Sequence, residues 1–549
     1  MSPERLPSRD VPRHDPAQLG ALRADLTAAG FTVTAVEDLL GPVASAALHR
    51  EQPLPALRAT APLVLSGSSA LRGATAPTSA DVPGGEDADA RTAALVRVFV
   101  LGRGVPRVAL AAALPTLGVD GAARLGLVQA AGAGRDDEVR ARVDLRPYEA
   151  EDAAGPVRWW LVSDLGEVAT GRALRTDHVL GVGGASTTLA QVTVRDRRRR
   201  VLDLGTGCGI QALHAARHAE AVVGTDVSAR ALAFARVNAA LAGVGPERVE
   251  LRAGSMLAPV EGEQFDLVVS NSPFVITPRT PGVPAYEYRD GGRAGDAVVR
   301  ELVTGVGAVL APGGVAQLLG NWEVRRGEEW HERVGSWLDE AGLDGWVIQR
   351  ELLDPAEYAE TWIRDGGVTP DRDRAAWDVQ YGAWLDDFAT RDVVAVGFGI
   401  LTLRRPATGR PTLRRLEEHT GTVHQPLGGH LAASLAAHDW LTVRDDSALA
   451  AAHLVVAPDV TEERYLRPGS VDPEVVLLRQ GGGLGRAVQA GTALAGLVGA
   501  CDGDLAVGQV VGALAALLEV PADDVAADVL PSVRGLVRDG LLIPAGTTG

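Results

Sequence analysis

Short apolar runs and helical stretches alternate over the middle of the chain, from about residue 158 to residue 405. The apolar runs have the length of buried strands, and the segments between them repeat apolar residues every three or four positions. Strands that alternate with helices predict a mostly parallel sheet covered on both faces. The predicted strands are 159–163, 200–204, 221–226, 249–253, 265–271, 315–319, 345–353 and 393–403, with helices such as 211–218 and 229–241 between them.

The segments on either side of this middle part have a different pattern. Residues 15–40 predict two short amphipathic helices, and residues 91–148 predict three helices followed by an alternating strand at 138–145. The last segment, from residue 412, ends in two helices and a strand at 507–518, 526–539 and 540–544. Helices followed by a strand are typical of winged-helix modules. We therefore predict an α/β fold in which a Rossmann-like sheet is flanked by two mainly helical, winged-helix-like modules.

Loops and linkers set the predicted domain boundaries. Residues 1–12 are charged and rich in proline, residues 66–85 are rich in serine, glycine, alanine and proline, and residues 149–155 are acidic. We interpret the first as a loose tail, the second as a long loop and the third as a linker. The predicted domains are residues 1–150, 151–408 and 409–549, because 549 residues are too many for one ordinary core.

Composition and charge restrict the possible functions. The formal net charge is -17, and an acidic chain lacks the clustered basic charge that non-specific phosphate binding needs. Only Cys208 and Cys501 are present, so neither a disulfide framework nor a metal site is predicted. No apolar run reaches the ~18 residues of a membrane-spanning helix, and the first residues lack the pattern of a signal peptide. We expect a soluble, cytoplasmic protein with no membrane partner.

A glycine-rich turn follows the predicted strand at 200–204. Gly205, Gly207 and Gly209 are separated by single residues, Thr206 and Cys208, and precede a predicted helix. Glycines allow positive φ and close approach of the backbone to a ligand, and open α/β sheets bind ligands at the carboxyl ends of their strands. The spacing differs from the Gly-x-Gly-x-x-Gly dinucleotide fingerprint. A purely structural turn is the alternative interpretation, and Cys208 is interpreted as a small turn residue rather than a catalytic thiol.

Further residues near the strand ends are candidates for cofactor binding. Asp226 ends the next predicted strand and is followed by Val227; a carboxylate there can accept two hydrogen bonds from ribose hydroxyls, although capping of the next helix is the alternative. Asp203, directly before the glycine turn, is placed to attract an ammonium group. Ser255 and Met256 follow the strand after Asp226 and are candidates to flank an adenine. These residues, in this order, predict a site for S-adenosylmethionine.

Asn271, Ser272, Pro273 and Phe274 follow the predicted strand at 265–271. The side-chain carbonyl of Asn271 and the main-chain carbonyl of Ser272 can accept hydrogen bonds from the N–H groups of a planar amide or amine. Such bonds draw electron density onto a nitrogen whose lone pair is delocalised, and methyl transfer then depends mainly on positioning. Pro273 stiffens the turn and Phe274 can stack on a flat target. An ordinary Asn-Pro turn at a strand end is the alternative.

Together, residues 201–209, Asp226 and residues 271–274 resemble the class I methyltransferases that carry an Asn-Pro-Pro-aromatic motif. Residues 288–296 (Tyr-Arg-Asp-Gly-Gly-Arg-Ala-Gly-Asp) are more similar to the Gly-Gly-x-x-Gly segment of the glutamine methyltransferases than to the nucleic-acid branch. The resemblance covers residues 177–319 and departs from the family at Ser272, where proline is usual. It implies methylation of glutamine amides, as in release factors, or of exocyclic amines of adenine and guanine.

The resemblance also suggests a role for the glycine-rich segment 177–189. Related enzymes have a segment at this position that closes over the methionine end of the cofactor. We therefore expect Thr187, or its neighbours Ser186 and Thr188, to contact the cofactor carboxylate. A flexible loop with a helix start capped by Ser186 or Thr187 is the alternative.

The combined prediction is an S-adenosylmethionine-dependent N-methyltransferase that acts on an amide nitrogen of a protein or peptide, with glutamine as the expected residue. The first alternative is methylation of an exocyclic amine in RNA or DNA, which the winged-helix-like flanks favour and the net charge opposes. Methylation of a small molecule is a further alternative. A non-enzymatic sensor or adaptor that binds the cofactor is the alternative from a different class, and residues 271–274 argue against it.

Overall fold

The computed structural model describes residues 11–70, 85–152 and 155–546. The predicted tail at 1–12 and the predicted loop at 66–85 lie mostly outside the described residues. The chain forms two compact units. The first holds the residues up to 190, 197–411 and 415–417, and the second holds 191–196, 412–414 and 418–549.

The N-terminal part of the first unit is mainly helical. Its elements are α1 (Pro16–Ala28), α2 (Val33–His49), α3 (Leu54–Ala70), α4 (Gly85–Leu95) with a π-helical turn at Val96–Val100, β1 (Val105–Pro106), α5 (Arg107–Ala113), α6 (Gly118–Arg124), β2 (Val128–Ala130) and β3 (Glu138–Ala141). The strands form an antiparallel sheet in the order β1-β3-β2. The two helices predicted at 15–40 are confirmed as α1 and α2, whereas the winged-helix interpretation stays a prediction. No single helix among the described residues is long and apolar enough to cross a membrane; α1 and α2 meet that criterion only as a pair bent by 50°.

A long antiparallel hairpin follows, formed by β4 (Asp144–Asp152) and β5 (Gly155–Ser163). The prediction of a linker at 149–155 is wrong, because residues 149–152 are paired with β5. The strand predicted at 159–163 exists, but it belongs to this hairpin and not to the central sheet. The acidic residues belong to a paired strand and not to a linker. Glu149 lies opposite Arg158 and forms an ion pair with it at 3.5 Å, and the buried Asp152 forms one with Arg217 at 2.8 Å.

An eight-stranded sheet forms the centre of the first unit. Its strands are β6 (Arg198–Leu204), β7 (Ala219–Asp226), β8 (Val249–Ala253), β9 (Phe265–Ser270), β10 (Leu310–Arg325), β11 (Asp344–Leu353), β12 (Val393–Arg404) and β13 (Arg414–Glu418), in the order β13-β11-β12-β10-β9-β6-β7-β8. The strands from β6 to β10 are parallel, and β12 is antiparallel to both of its neighbours. The predicted mostly parallel sheet is confirmed.

Helices accompany the strands of this sheet, as the alternating pattern predicts. They are α7 (Glu167–Thr170), α8 (Gly184–Val192), α9 (Ile210–Ala215), α10 (Ala229–Leu241), α11 (Ala297–Gly305), α12 (Trp330–Ala341), α13 (Pro355–Asp365) and α14 (Arg374–Ala389), with 3-10 turns at Ala258–Val260 and Val306–Ala308. The helix predicted at 229–241 is confirmed with the same bounds. Strand β10 is much longer than the predicted 315–319 at both ends. Residues 311–314 form an irregularity within the strand, and residues 320–325 continue its pairing with β12.

The strand order reverses at β6, and this reversal positions the candidate site. Strand β7 lies on one side of β6 and β9 on the other, and all three run parallel. Leu204 is paired with Thr225, and Asp203 with Val269, so the three strands end at the same level. The residues that follow β6 and β9 therefore lie beside the end of β7. Open α/β sheets bind ligands in the crevice at such a switch point.

The N-terminal helices share a hydrophobic core with the sheet region. Leu19, Leu22 and Leu26 on α1 are no more than 1% exposed and belong to the same cluster as Phe234 and Val237 on α10. Each such leucine contributes about 1.5–3 kcal/mol when it is fully buried. Since α1 completes its core against α10, the N-terminal part depends on the sheet region for its stability. The division at residue 150 stays a prediction.

The side-chain amide of Asn238 on α10 connects the hairpin to the glycine loop. Asn238 is fully buried. Its Oδ1 accepts a hydrogen bond from the Val162 amide at 2.7 Å, and its Nδ2 donates to the Val162 carbonyl at 2.9 Å and to the Cys208 carbonyl at 2.8 Å. One side chain thus satisfies main-chain groups of two segments that are distant in sequence.

The second unit has its own hydrophobic core, to which Leu497, Val529 and Val533 contribute. Its elements are α15 (Gly428–Thr442), α16 (Asp446–Ala450), β14 (His453–Val456), β15 (Val460–Tyr465), β16 (Val475–Gln480), β17 (Ala487–Ala490), α17 (Thr492–Gly499), β18 (Asp502–Ala506), α18 (Val507–Leu518), α19 (Ala522–Arg538) and β19 (Leu542–Pro544). Two three-stranded sheets are present, β18-β14-β19 and β15-β16-β17. The final helix, helix and strand predicted from residue 507 onward are confirmed, and their interpretation as a winged-helix-like module stays a prediction.

Replacement of Asn238 by alanine should destabilise the first unit strongly. The change leaves the Val162 and Cys208 main-chain groups buried without partners, and each such group costs about 1–3 kcal/mol. We expect the free energy of unfolding, measured by urea denaturation, to fall by about 2–4 kcal/mol. Arg236→Ala, at an exposed position on the same helix, should change it by less than about 0.5 kcal/mol. Equal effects of the two substitutions would contradict this assignment.

Candidate cofactor and acceptor site

The loop between β6 and α9 is fixed by main-chain hydrogen bonds to the neighbouring strand. The amides of Gly205 and Thr206 both donate to the Thr225 carbonyl at 2.9 Å. Gly205, Gly207 and Gly209 have φ values of 73°, 55° and 91°, a region that side chains with a Cβ rarely adopt. The three glycines are thus required by the path of the backbone, and the loop presents main-chain atoms to the space above the sheet.

Asp226, at the end of β7, binds the glycine loop. Its Oδ2 accepts a hydrogen bond from the Gly207 amide at 2.9 Å, and its Oδ1 accepts one from the Ser228 amide at 2.8 Å. Burial raises the pKa of this carboxyl. The side chain that caps α10 is that of Ser228, which accepts from the Ala231 amide, so the alternative role of Asp226 as the helix cap is wrong.

Asp203 is buried beneath the glycine loop and does not line the cavities above the loop. It is 1% exposed, and its Oδ2 accepts hydrogen bonds from the Thr206 hydroxyl at 2.6 Å and from the Ala212 amide at 2.9 Å. Its Oδ1 has no hydrogen-bond partner among the described residues. Burial raises the pKa of this carboxyl to about 7. Asp203 therefore holds the loop from below, which is a different position from the one expected for a contact with an ammonium group.

In the tetrapeptide after β9, Asn271 lines both cavities described below, and Ser272 and Pro273 line the larger one. The Nδ2 of Asn271 donates to the Ser186 hydroxyl at 3.3 Å, and its Oδ1 is buried without a hydrogen-bond partner among the described residues. The Ser272 side chain is also buried, and its hydroxyl has no hydrogen-bond partner among the residues that the structure describes. Phe274 turns into the core, where its ring centroid lies 5.5 Å from that of Phe398. The position of Phe274 does not match the predicted stacking on an acceptor.

Two cavities lie above the carboxyl ends of the strands. The first, of about 100 Å³, lies against the glycine loop and residues 178–181. The second, of about 310 Å³, extends from Asp226 and Val227 to Ser255 and Met256. The cavities share one wall, which consists of Gly205, Asp226, Asn271, Glu287 and Tyr288.

The connection between β9 and α11 returns over these cavities. The Val275 amide donates to the Arg289 carbonyl at 3.0 Å, and this bond brings residues 287–288 back above Asn271. The Tyr288 hydroxyl donates to Asp365 at 2.6 Å, and the same carboxylate accepts from the buried Arg289 at 2.5 Å. Burial raises the pKa of the Tyr288 hydroxyl. The aromatic ring on the shared wall is thus that of Tyr288 and not that of Phe274.

The glycine-rich segment 177–183 covers the first cavity and is anchored by Asp164. The Val179 amide donates to the Asp164 carboxylate at 2.8 Å, and Arg230 from α10 forms an ion pair with the same carboxylate. His178 lies next to this pair, and burial lowers the pKa of its imidazole. The ion pair between Arg230 and Asp164 therefore connects α10 to the segment 177–183 at the first cavity.

The remaining predicted cofactor residues occupy different positions around the cavities. Thr206 and Cys208 are buried in the glycine loop and line the first cavity, and burial raises the pKa of the Cys208 thiol to about 11, so the thiol stays protonated at neutral pH. Val227 is 62% exposed at the second cavity. Ser186 lies at the first cavity, whereas Thr187 donates to the Gly183 carbonyl at 3.2 Å and lines a third cavity of about 340 Å³.

Several residues of the site were not predicted from the sequence. Glu287, His178 and Asp164 lie in irregular segments with no periodic pattern, and no local signal marks them. Tyr288 enters the prediction only as part of a resemblance, although the two tyrosines on either side of Glu287 form a local aromatic segment. Asn238 lies within a helix, where its spacing from apolar neighbours indicates burial but not its partners.

Three family models match separate parts of the chain. Residues 181–335 match the methyltransferase small domain. Residues 28–142 and 432–544 match two domains of unknown function, DUF7059 and DUF7782. The middle domain is therefore a methyltransferase domain, and the Rossmann-like class I fold predicted for it agrees with the order of its strands.

Curated glutamine methyltransferases are similar to this middle domain. The chain is 36% identical over 152 residues to the release factor glutamine methyltransferase of Moorella thermoacetica, an alignment that covers 26% of the chain and 53% of that protein. It is 31% identical over 192 residues to the ribosomal protein uL3 glutamine methyltransferase of Bradyrhizobium diazoefficiens, with coverage of 33% and 59%. The chain spans about half the length of the curated relatives it matches. The resemblance stated from the motifs is confirmed.

A search of solved structures also finds similar chains. The YcgJ protein of Bacillus subtilis is 17% identical with a TM-score of 0.27, and the alignment covers 41% of this chain and 98% of that one. The [4+2]-cyclase SpnF is 21% identical with a TM-score of 0.27, and the alignment covers 41% of this chain and 81% of that one. The family match and the curated relatives support S-adenosylmethionine as the cofactor of the middle domain.

Asp203 should make the stability of the first unit depend on pH. The folded protein retains a proton on this carboxyl that the unfolded chain loses above pH 3.8, because the pKa is raised from that value to about 7. The free energy of unfolding should therefore decrease as the pH rises from about 4 to 7, and level off above 7. In Asp203→Asn this decrease should be smaller by about 2–4 kcal/mol. Denaturation series at several pH values measure the difference. The exposed Asp371→Asn should retain the wild-type slope, and an unchanged slope in Asp203→Asn would contradict the prediction.

Proposed function

We propose that the protein is an S-adenosylmethionine-dependent N-methyltransferase whose acceptor is a glutamine side-chain amide of a protein or peptide. The observation that carries this proposal is the Oδ1 atom of Asn271, which is buried at the shared wall of two cavities without a hydrogen-bond partner among the described residues. A buried acceptor without a partner costs about 1–3 kcal/mol. An N–H group of the acceptor amide would supply that partner, so the cost is removed only when the substrate binds.

The residues around the cavities fit S-adenosylmethionine. The second cavity would hold the adenosine, with Asp226 at the ribose and Ser255 and Met256 near the adenine. The first cavity would hold the amino-acid end against the main chain of Gly207 and the hydroxyl of Ser186. In this placement the sulfur lies where the cavities meet, which is also the position of Asn271.

S-adenosylmethionine supplies a methyl group that is bound to a cationic sulfur. In the transfer, the bond from the methyl carbon to sulfur would break as the bond from that carbon to the amide nitrogen forms, and the sulfur would keep the electron pair. The nitrogen would then lose a proton to water. The protein positions the nucleophile for this transfer. Asn271 Oδ1 and the Ser272 main-chain carbonyl would accept the two N–H bonds of the amide, which orients its lone pair and increases its electron density. Pro273 restricts the turn that holds both acceptors. Preorganised polar groups of this kind commonly account for about 10²–10³-fold in rate.

The choice of acceptor class depends on the relatives and on charge. The two similar proteins named above act on a release factor and on a ribosomal protein, as their names state. The net charge of -17 opposes binding to a phosphate backbone. We therefore favour a protein acceptor over RNA or DNA, and we assign the choice of acceptor to the regions outside the middle domain.

Asp226 should be required for cofactor binding. In Asp226→Ala the affinity for S-adenosylmethionine and for its demethylated product should fall by about 1.5–3 kcal/mol, the cost of losing hydrogen bonds to a charged group. Isothermal titration calorimetry measures both affinities. Glu220→Ala, an exposed position on the same strand, should bind as the wild type does. Wild-type affinity in Asp226→Ala, or a preference of the wild type for NAD, would overturn the assignment of the cofactor site.

Asn271 should be required for turnover more than for cofactor binding. Methyl transfer from labelled cofactor to native extract should fall by about 10²-fold or more in Asn271→Ala, while cofactor affinity stays within a few-fold of the wild type. Ser272→Pro should retain activity, because it keeps the main-chain carbonyl. Near-normal turnover of Asn271→Ala would show that the amide mechanism is wrong.

The same assay identifies the acceptor class. Label incorporated by the wild type should be sensitive to protease and resistant to nuclease, and mass spectrometry should locate it on a glutamine side chain. Acceptor binding should depend weakly on salt. Nuclease-sensitive label, or a steep loss of acceptor affinity with salt as expected for several phosphate contacts, would replace the protein acceptor by a nucleic acid.

A further inference from the structure

Glu287 lies where the two cavities meet and is fixed there by its neighbours. Its main-chain amide donates to the Thr176 carbonyl at 2.8 Å. The preceding Tyr286 donates from its hydroxyl to the Gly366 carbonyl at 3.0 Å, and the following Tyr288 is bound to Asp365. The backbone at Glu287 is thus held on both sides. Its side chain is exposed and belongs to the wall that the cavities share.

Glu287 differs from the other carboxylates that line these cavities. Asp226 accepts from two main-chain amides, Asp290 is paired with Arg279, and Glu301 is paired with Arg293. The carboxylate of Glu287 has no hydrogen-bond or ion-pair partner within the described part of the chain. An anion without a counter-charge in the wall of a ligand cavity favours a ligand that carries positive charge at that point.

The position of this carboxylate matches one of the two positive charges on the proposed cofactor. The ammonium group would lie in the first cavity, at the far end of the ligand from the adenine. The sulfonium lies between the two halves of the molecule, where the cavities meet. The sulfonium charge is present before methyl transfer and absent afterwards, because the sulfur of the product is neutral. A carboxylate at this point therefore distinguishes the cofactor from its own product.

We propose that Glu287 is a specificity-determining residue that recognises the sulfonium charge and favours the cationic cofactor over the neutral demethylated product. The inference rests on the proposed function, since it takes S-adenosylmethionine as the ligand. Positive charge on sulfur diminishes in the transition state, so the carboxylate stabilises the bound cofactor more than the transition state. Glu287 should consequently lower the KM for the cofactor without accelerating the chemical step.

The test compares three ligands by calorimetry on the full chain. S-adenosylmethionine and sinefungin carry a positive charge at or next to the sulfur position, whereas S-adenosylhomocysteine is neutral there and keeps the same ammonium and carboxylate. In Glu287→Gln the affinities for the two charged ligands should fall by about three- to tenfold, in line with an ion pair in partly exposed surroundings, while the affinity for S-adenosylhomocysteine stays unchanged. Added salt should reduce the wild-type preference for the charged ligands.

Two further variants serve as controls. Glu287→Asp keeps the charge and should retain part of the preference. Glu332→Gln makes the same change of net charge at an exposed position on α12 and should bind all three ligands as the wild type does.

Each other outcome of the titrations is informative. An equal loss for all three ligands would assign the carboxylate to the ammonium end and overturn the inference, and so would unchanged binding of all three. A wild-type protein that binds none of the ligands would instead overturn the proposed function itself.

Discussion

A single buried side-chain amide determines how the parts of the site are placed relative to one another. Asn238 binds both main-chain groups of Val162 in the hairpin and the Cys208 carbonyl in the glycine loop. The hairpin and the loop therefore cannot shift independently, and α10 holds both at once. The Gly207 amide of the same loop donates to Asp226, so this loop is bound both to α10 and to the end of β7. A buried amide of this kind stabilises the fold only while all its partners are present, because an unmatched polar group in the interior is costly.

For some helices and strands, the local spacing of apolar residues was sufficient to predict where the element begins and ends. The helix at Ala229–Leu241 and the strand at Val249–Ala253 have the bounds that their apolar spacing indicates, and the acid at the end of β7 lies at the cavity as expected. The hairpin at 144–163 was only partly predicted, because the acidic residues at 149–152 have the composition of a linker although they are paired in a strand. The course of residues 275–290 was not predicted at all. It depends on contacts with α13 that are distant in sequence, such as that of Tyr288 with Asp365.

Two of the predicted site residues, Asp203 and Phe274, do not line the two cavities. Asp203 lies within β6, where successive side chains point to opposite faces of the sheet. One face of β6 carries Asp203 beneath the loop, where it binds Thr206 and the Ala212 amide. Similarly, Phe274 packs against Phe398 in the core. Proximity in sequence to a functional residue thus did not imply access to the cavity, and residues from a distant loop, Glu287 and Tyr288, form that part of the wall.

The shared core of α1 and α10 has a consequence for synthesis on the ribosome. Leu19, Leu22 and Leu26 pack in the same cluster as Phe234 and Val237, so the first helix has no complete partner until about 200 further residues have been translated. At ~5–20 residues per second this interval lasts ~10–40 s. During it the apolar face of α1 is available to other surfaces of the nascent chain or to chaperones. The segment that completes the packing of α1 is therefore translated long after α1 itself. For that interval the nascent chain contains its first helical segment without the complete core that buries it.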